Sequence, residues 1–173
     1  SMTDPAMTDP ARTAAALRAI SLIDLTDLAD DHAPDGIDEL CRRAREHATA
    51  AVCVWPEYVA TCATQLAGCD VRVATVVNFP SGDESVAEVT GAVRSALAAG
   101  ADDIDVVVPY RAFLAGDTEA ARTMVSAVVD LVDTPCLVKV ILETGALGDA
   151  ATIEAAAELA IADLVTALKG GKG

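Results

Sequence analysis

Apolar positions along this chain change period several times, and each change marks an element. Arg12 to Ile23 carries helical spacing, with Thr13 as a candidate cap. Asp24-Leu25-Thr26 reads as the end of that helix, and an acidic loop follows from Asp30 to Pro34. Gly36 to His47 predicts a second helix. The period then shortens. Ala51-Val52-Cys53-Val54-Trp55 predicts a buried strand stopped by Pro56, and Glu57 to Leu66 returns to helical spacing. Val71 to Val77 is a β-branched strand followed by the turn residues Asn78-Phe79-Pro80-Ser81-Gly82. Ser85 to Ala99 predicts an Ala-rich helix closed by Gly100. Strands at Asp103–Val108 and Cys136–Leu142 flank a helix at Thr118–Val132. A last helix runs from Asp149 to Ala162, with an extension toward Leu168.

Four strands therefore alternate with helices, and the later strands begin about 32 residues apart, the length of a βαβ unit. Near-continuous apolar strands in this rhythm predict an α/β fold with a parallel sheet under helices. The pattern leaves two architectures open, a doubly wound sheet and part of a (β/α) barrel. No G-x-G-x-x-G and no G-x-x-x-x-G-K-[ST] occurs, so neither nucleotide fingerprint supports the first.

Composition narrows the function. There are 12 Lys+Arg against 27 Asp+Glu, a net charge of -15. Such a surface repels polyanions and acidic membrane faces, so nucleic-acid and membrane partners are not expected. A 53% hydrophobic fraction and a mean hydropathy of +0.38 exclude a largely disordered chain. Five cysteines without a C-x-x-C, and only His32 and His47 beside them, make a zinc site unexpected and point to reduced thiols in a cytoplasmic setting. Both histidines are expected in solvent. No metal or cofactor is expected. Ser1 to Ala16 lacks the basic start and apolar stretch of a signal peptide. Residues 1–11 read as a disordered leader.

The informative anomaly is charge inside the predicted strands. Asp103 and Asp105 are two apart and share a face, and Lys139 lies between Val138 and Val140. In a sequential parallel sheet Lys139 falls opposite Asp105. A lone buried charge is costly, so these groups should pair. That pair either fixes strand register or belongs to a polar centre inside a barrel. Lys139 is one of three lysines, with Lys169 and Lys172 in a Gly-rich tail. Acidic neighbours favour its charged form, which makes it a charge partner and a poor imine-forming nucleophile. A Mg²⁺ site on Asp103 and Asp105 is disfavoured by the same ammonium. Asp24 either lines a site or ends a helix, Cys53 either packs or reacts, and Glu143-Thr144-Gly145 either binds a ligand or turns the chain.

Five ordered motifs carry a resemblance. They are Ile23-Asp24-Leu25-Thr26, Val52-Cys53-Val54-Trp55-Pro56, Val77-Asn78-Phe79-Pro80-Ser81-Gly82, Asp105-Val106-Val107-Val108-Pro109-Tyr110-Arg111-Ala112 and Leu137-Val138-Lys139-Val140-Ile141-Leu142-Glu143-Thr144-Gly145. Over Arg12 to Ala162 the chain resembles the deoxyribose-phosphate aldolases. The resemblance implies a (β/α)8 TIM barrel, of which about four βα units and a C-terminal helix are present. It implies a metal-free class I aldolase that cleaves 2-deoxy-D-ribose 5-phosphate to glyceraldehyde 3-phosphate and acetaldehyde, so a small sugar phosphate is the implied partner. Asp105 matches the catalytic proton-relay aspartate, and Lys139 the lysine that pairs with it. Asp24 and Cys53 match positions near the substrate, and Thr26, in the Asp24 motif, is taken as a further substrate contact. The family's Lys-Thr-Ser-Thr-Gly, Phe-Lys-Pro and phosphate-holding glycine motifs do not occur. After Ala162 the sequence passes directly to Asp163-Leu164-Val165-Thr166-Ala167-Leu168-Lys169, which resembles the family's C-terminal helix. Judged against a barrel of about 250 residues, roughly 80 are skipped. A segment outside these residues, a deletion, or a natural short form that has lost the reaction each accounts for the jump. The alternative function is a non-catalytic partial barrel that associates through its open sheet edges, as a homodimer in the simplest case.

Overall fold

A computed structural model describes residues 9–31 and 35–169, the side chains of 165–169 excepted. Helix α1 (Pro10–Ile20) is capped by the Asp9 carboxylate, which accepts from the Ala11 amide. The expected cap, Thr13, lies inside the helix, and its hydroxyl donates to the Asp9 carbonyl. Helical structure thus begins inside the expected leader, whose first eight residues lie outside the described ones, as do His32 and the tail from residue 170. His47 ends α2 (Gly36–His47) in solvent.

Among the described residues the sheet has five strands rather than four. Asp24–Asp27 is not the end of a helix but strand β1, an edge strand paired in parallel with β2 (Ala51–Val54). A short 3-10 turn and α3 (Val59–Gln65) lead to β3 (Arg72–Val77). Helix α4 (Val86–Ala98) leads to β4 (Asp103–Val107). Its start is fixed by a capping box in which Ser85 and Glu88 each bond the other's backbone N–H. Two helices, α5 (Tyr110–Leu114) and α6 (Thr118–Val129), precede β5 (Leu137–Ile141). Glu143-Thr144-Gly145 opens one helical turn, α7 (Thr144–Leu147), entered through a left-handed Glu143. Helix α8 (Ala150–Lys169) is continuous through the expected junction after Ala162. Just past that junction, buried Asp163 accepts from Arg122 of α6 at 2.8 Å, so the segment is built into the fold.

Strand order is β1-β2-β3-β4-β5, all parallel. A doubly wound sheet reverses its order at a switch point. This one does not, which leaves the barrel reading. Alternate strand residues divide the core. Val52, Val54, Val73, Val77, Ile104 and Val106 pack under the helices. Ala51, Cys53, Ala74 and Val76 form a separate cluster on the opposite face. Each buried branched side chain contributes about 1.5–3 kcal/mol relative to exposure. The small Ala51 and Ala74 leave the second face room to curl inward. No described helix is long and apolar enough to cross a membrane.

Candidate active site

The curl can be read from one contact. Four strand spacings separate β1 from β5, roughly 19 Å if the sheet were flat. Yet the Lys139 ammonium of β5 donates to Asp24 Oδ2 of β1, in an ion pair that only a rolled sheet allows. The same ammonium lies 3.1 Å from Asp105 Oδ1, and strand register sets Asp105 opposite Lys139. Cys53 adds its thiol, 3.9 Å from Asp105 Oδ2. Four predicted residues, from β1, β2, β4 and β5, therefore meet on the concave face. Thr26 does not join them. It is exposed, and its hydroxyl donates to the Asp24 carbonyl of its own strand.

The environment sorts these groups chemically. Burial would lower the Lys139 pKa, but its hydrogen bond to Asp24 and the charge of Asp105 outweigh that and hold it above the ordinary lysine value. Asp105 lies deeper, with 12% of its side chain exposed against 38% for Lys139. There desolvation exceeds the pull of Lys139, and the carboxyl sits above its ordinary value. Desolvation, reinforced by the Asp105 charge, pushes the Cys53 thiol up to about 12. The arrangement is a persistently charged lysine, a proton-affine carboxyl and a neutral thiol. A carboxyl so placed can take and return a proton, and the lysine can orient it.

Asp103 has a different role from Asp105. Its Oδ1 accepts from Arg72 Nε at 3.0 Å and Nη2 at 2.5 Å, and the same Nη2 donates to the carbonyls of Asp102 and Pro135. Arg72 thus clasps β3, β4 and the approach to β5. Asp103 and Asp105 are each paired to a cation, Arg72 and Lys139, which would compete with Mg²⁺ there. Among the described residues no group of three or more His, Cys, Asp or Glu is placed to hold a metal. Arg72 was legible in principle, because it shares the parity of Ala74 and Val76 and is a charge at a buried strand's start. The aromatic wall was also missed: Trp55 and Phe79 meet edge to face at 5.5 Å and pack against the Cys53 cluster. Cys41 and Cys62 are buried in the outer core, away from this cluster.

A family model described as the DeoC/LacD family aldolases matches residues 18–168. A deoxyribose-phosphate aldolase of Agrobacterium fabrum is 49% identical over 166 residues, covering 94% of this chain and 63% of that protein. A crystal structure from Coccidioides immitis, provisionally assigned as a deoxyribose-phosphate aldolase, superposes with a TM-score of 0.78 at 29% identity, covering 85% of this chain and 57% of that one. The tetrameric deoxyribose phosphate aldolase of Aeropyrum pernix superposes with a TM-score of 0.73 at 26% identity, covering 87% and 61%. The chain thus spans about three fifths of the length of these relatives. With five consecutive parallel strands rolled around a charged centre, and with the family model matched across most of its length, the chain belongs to the DeoC/LacD family of aldolases.

Proposed function

We propose that this chain carries the proton-handling part of a deoxyribose-phosphate aldolase site. In the whole enzyme the reaction is reversible aldol cleavage of 2-deoxy-D-ribose 5-phosphate through a lysine Schiff base. The observation that carries the reading is the convergence of Asp24, Cys53, Asp105 and Lys139 on the concave face. In this reading Asp105 relays protons and Lys139 orients it. Asp24 and Cys53 border the substrate, with Thr26 at the rim. Residues 12–162 form the N-terminal part of the barrel, and the remainder of the relatives' length falls beyond Ala162. The imine forms on a lysine of that remainder, because Lys139 is held charged and an ammonium cannot attack a carbonyl.

Borohydride reduction in the presence of substrate, followed by peptide mapping, tests this. The 173-residue chain is expected to give no adduct on Lys139, while a polypeptide carrying the whole barrel gives one elsewhere. Reduction onto Lys139 would overturn its assignment as a charge partner. A second reading, a partial barrel that associates, is favoured by one observation: β1 and β5 each have an unpaired edge among the described residues. Sedimentation separates the two. Concentration-dependent dimers of the 173-residue chain are expected if the edges pair, and a monodisperse monomer rejects it.

A further inference from the structure

The loop after β3, Asn78-Phe79-Pro80-Ser81-Gly82, combines turn residues with a buried polar side chain. Asn78 is an unusual residue. It is 1% exposed, and its backbone is left-handed at φ +57°, a conformation non-glycine residues adopt at a cost. Every polar group of its side chain is used. Nδ2 donates to the Val107 carbonyl at 2.8 Å, and Oδ1 accepts from the Glu84 amide at 2.9 Å. Its own carbonyl accepts from the Gly82 amide at 2.8 Å. Asn78 therefore ties the end of β3 to the end of β4 and closes the loop on itself. Gly82 completes the closure: at φ +70°, a Cβ there would lie 2.8 Å from the Val108 carbonyl oxygen.

The tightly closed turn delivers one side chain to the concave face. Phe79 packs against the cluster that contains Cys53 and meets the Trp55 ring at 5.5 Å. Trp55 is anchored in turn, its Nε1 donating to the Ala29 carbonyl beyond β1. Loops after β1, β2 and β3 are thereby joined beside the Cys53 cluster of the concave face.

We propose that Asn78 is a positioning residue, whose left-handed turn and paired hydrogen bonds station the Phe79 ring as an apolar cover that limits water at the Cys53–Asp105–Lys139 cluster. The inference deepens the aldolase reading, but it is tested by thiol chemistry and does not need turnover. Burial is the first cause of the raised Cys53 pKa, so any loss of cover is read directly at that sulfur.

The test is iodoacetamide alkylation between pH 7 and pH 10, mapped by peptide mass spectrometry. Cys69 and Cys136, partly exposed, serve as references, and the outer-core Cys41 and Cys62 report unfolding. In the unsubstituted chain Cys53 is expected to react slowly and to remain off its plateau at pH 10. Asn78→Ala and Phe79→Ala are each expected to raise the Cys53 rate at pH 9 by about ten-fold or more while Cys41 and Cys62 stay protected. Asn78→Gly keeps the left-handed backbone but loses both side-chain bonds, and is expected to show a smaller rise. A Cys53 rate within about two-fold of the parent in either alanine variant overturns the proposal. So does a rise in Asn78→Ala that Cys41 and Cys62 share equally while Phe79→Ala leaves Cys53 unchanged.

Discussion

Lys139→Met is expected to destabilise the chain by about 2–4 kcal/mol, measured by urea unfolding at pH 7. The substitution keeps the length of the side chain and removes its charge. Asp24 and Asp105 then face each other across the concave side with no cation between them, and Asp105 cannot turn to water. Loss of one partner from a buried pair typically costs about 3–5 kcal/mol, and the partial exposure of Lys139 lowers that range here. The pH dependence gives the signature. Asp105 already sits above its ordinary value with Lys139 present, and losing the lysine raises it further. A raised carboxyl pKa means that the folded state binds the proton more tightly than the unfolded one. The variant should therefore regain stability as pH falls and the carboxyl is neutralised. At the alkaline end the sign concerns Lys139 itself. Its folded value is raised, so its contribution is complete below the ordinary 10.5 and is lost as pH rises through the folded value. Parent and variant should converge at both extremes and differ most near neutrality. A deficit independent of pH would show that packing, not charge, is what Lys139 supplies.

In a polypeptide carrying the whole barrel, Asp105→Asn is expected to lower kcat by about 10²- to 10⁴-fold, the range for losing a positioned acid–base group. KM should move little, because the change adds no bulk and leaves Lys139 paired with Asp24. Stability should also change little, since an amide replaces a costly buried charge. The parent's rate should fall on the acid side through a pKa above the ordinary carboxylate value, because a relay base must be ionised to accept a proton. That acid limb should be absent in Asp105→Asn. A variant that keeps the limb would place the relay on another carboxylate, and Asp24 would be the first to examine.

Much of this site was legible because it follows from parity. Two-residue spacing set Asp103 and Asp105 on one face, and sequential parallel order set Lys139 beside Asp105, as the register has it. The first strand was not legible. Of Asp24-Leu25-Thr26-Asp27 only Leu25 is apolar, too weak a pattern to separate a strand from a helix end. It is a strand because β2 offers a backbone ladder and Lys139 offers Asp24 a charge. The Asp24–Lys139 pair was hidden for a related reason. Spacing along a chain reports faces and periods, whereas the approach of β1 to β5 depends on curvature, which belongs to the whole sheet. Phe79 was hidden in another way, standing just past an apolar run where boundaries are least certain.

The Lys139–Asp24 contact joins residues 115 positions apart. Closed alone, it would cost the entropy of a long loop, which the intervening strand ladders shorten. A contact between positions so far apart is expected to form late and to contribute little to the speed at which the chain finds its fold. It acts instead as a latch on the finished structure, and its strength is felt in how long the folded chain lasts before it opens.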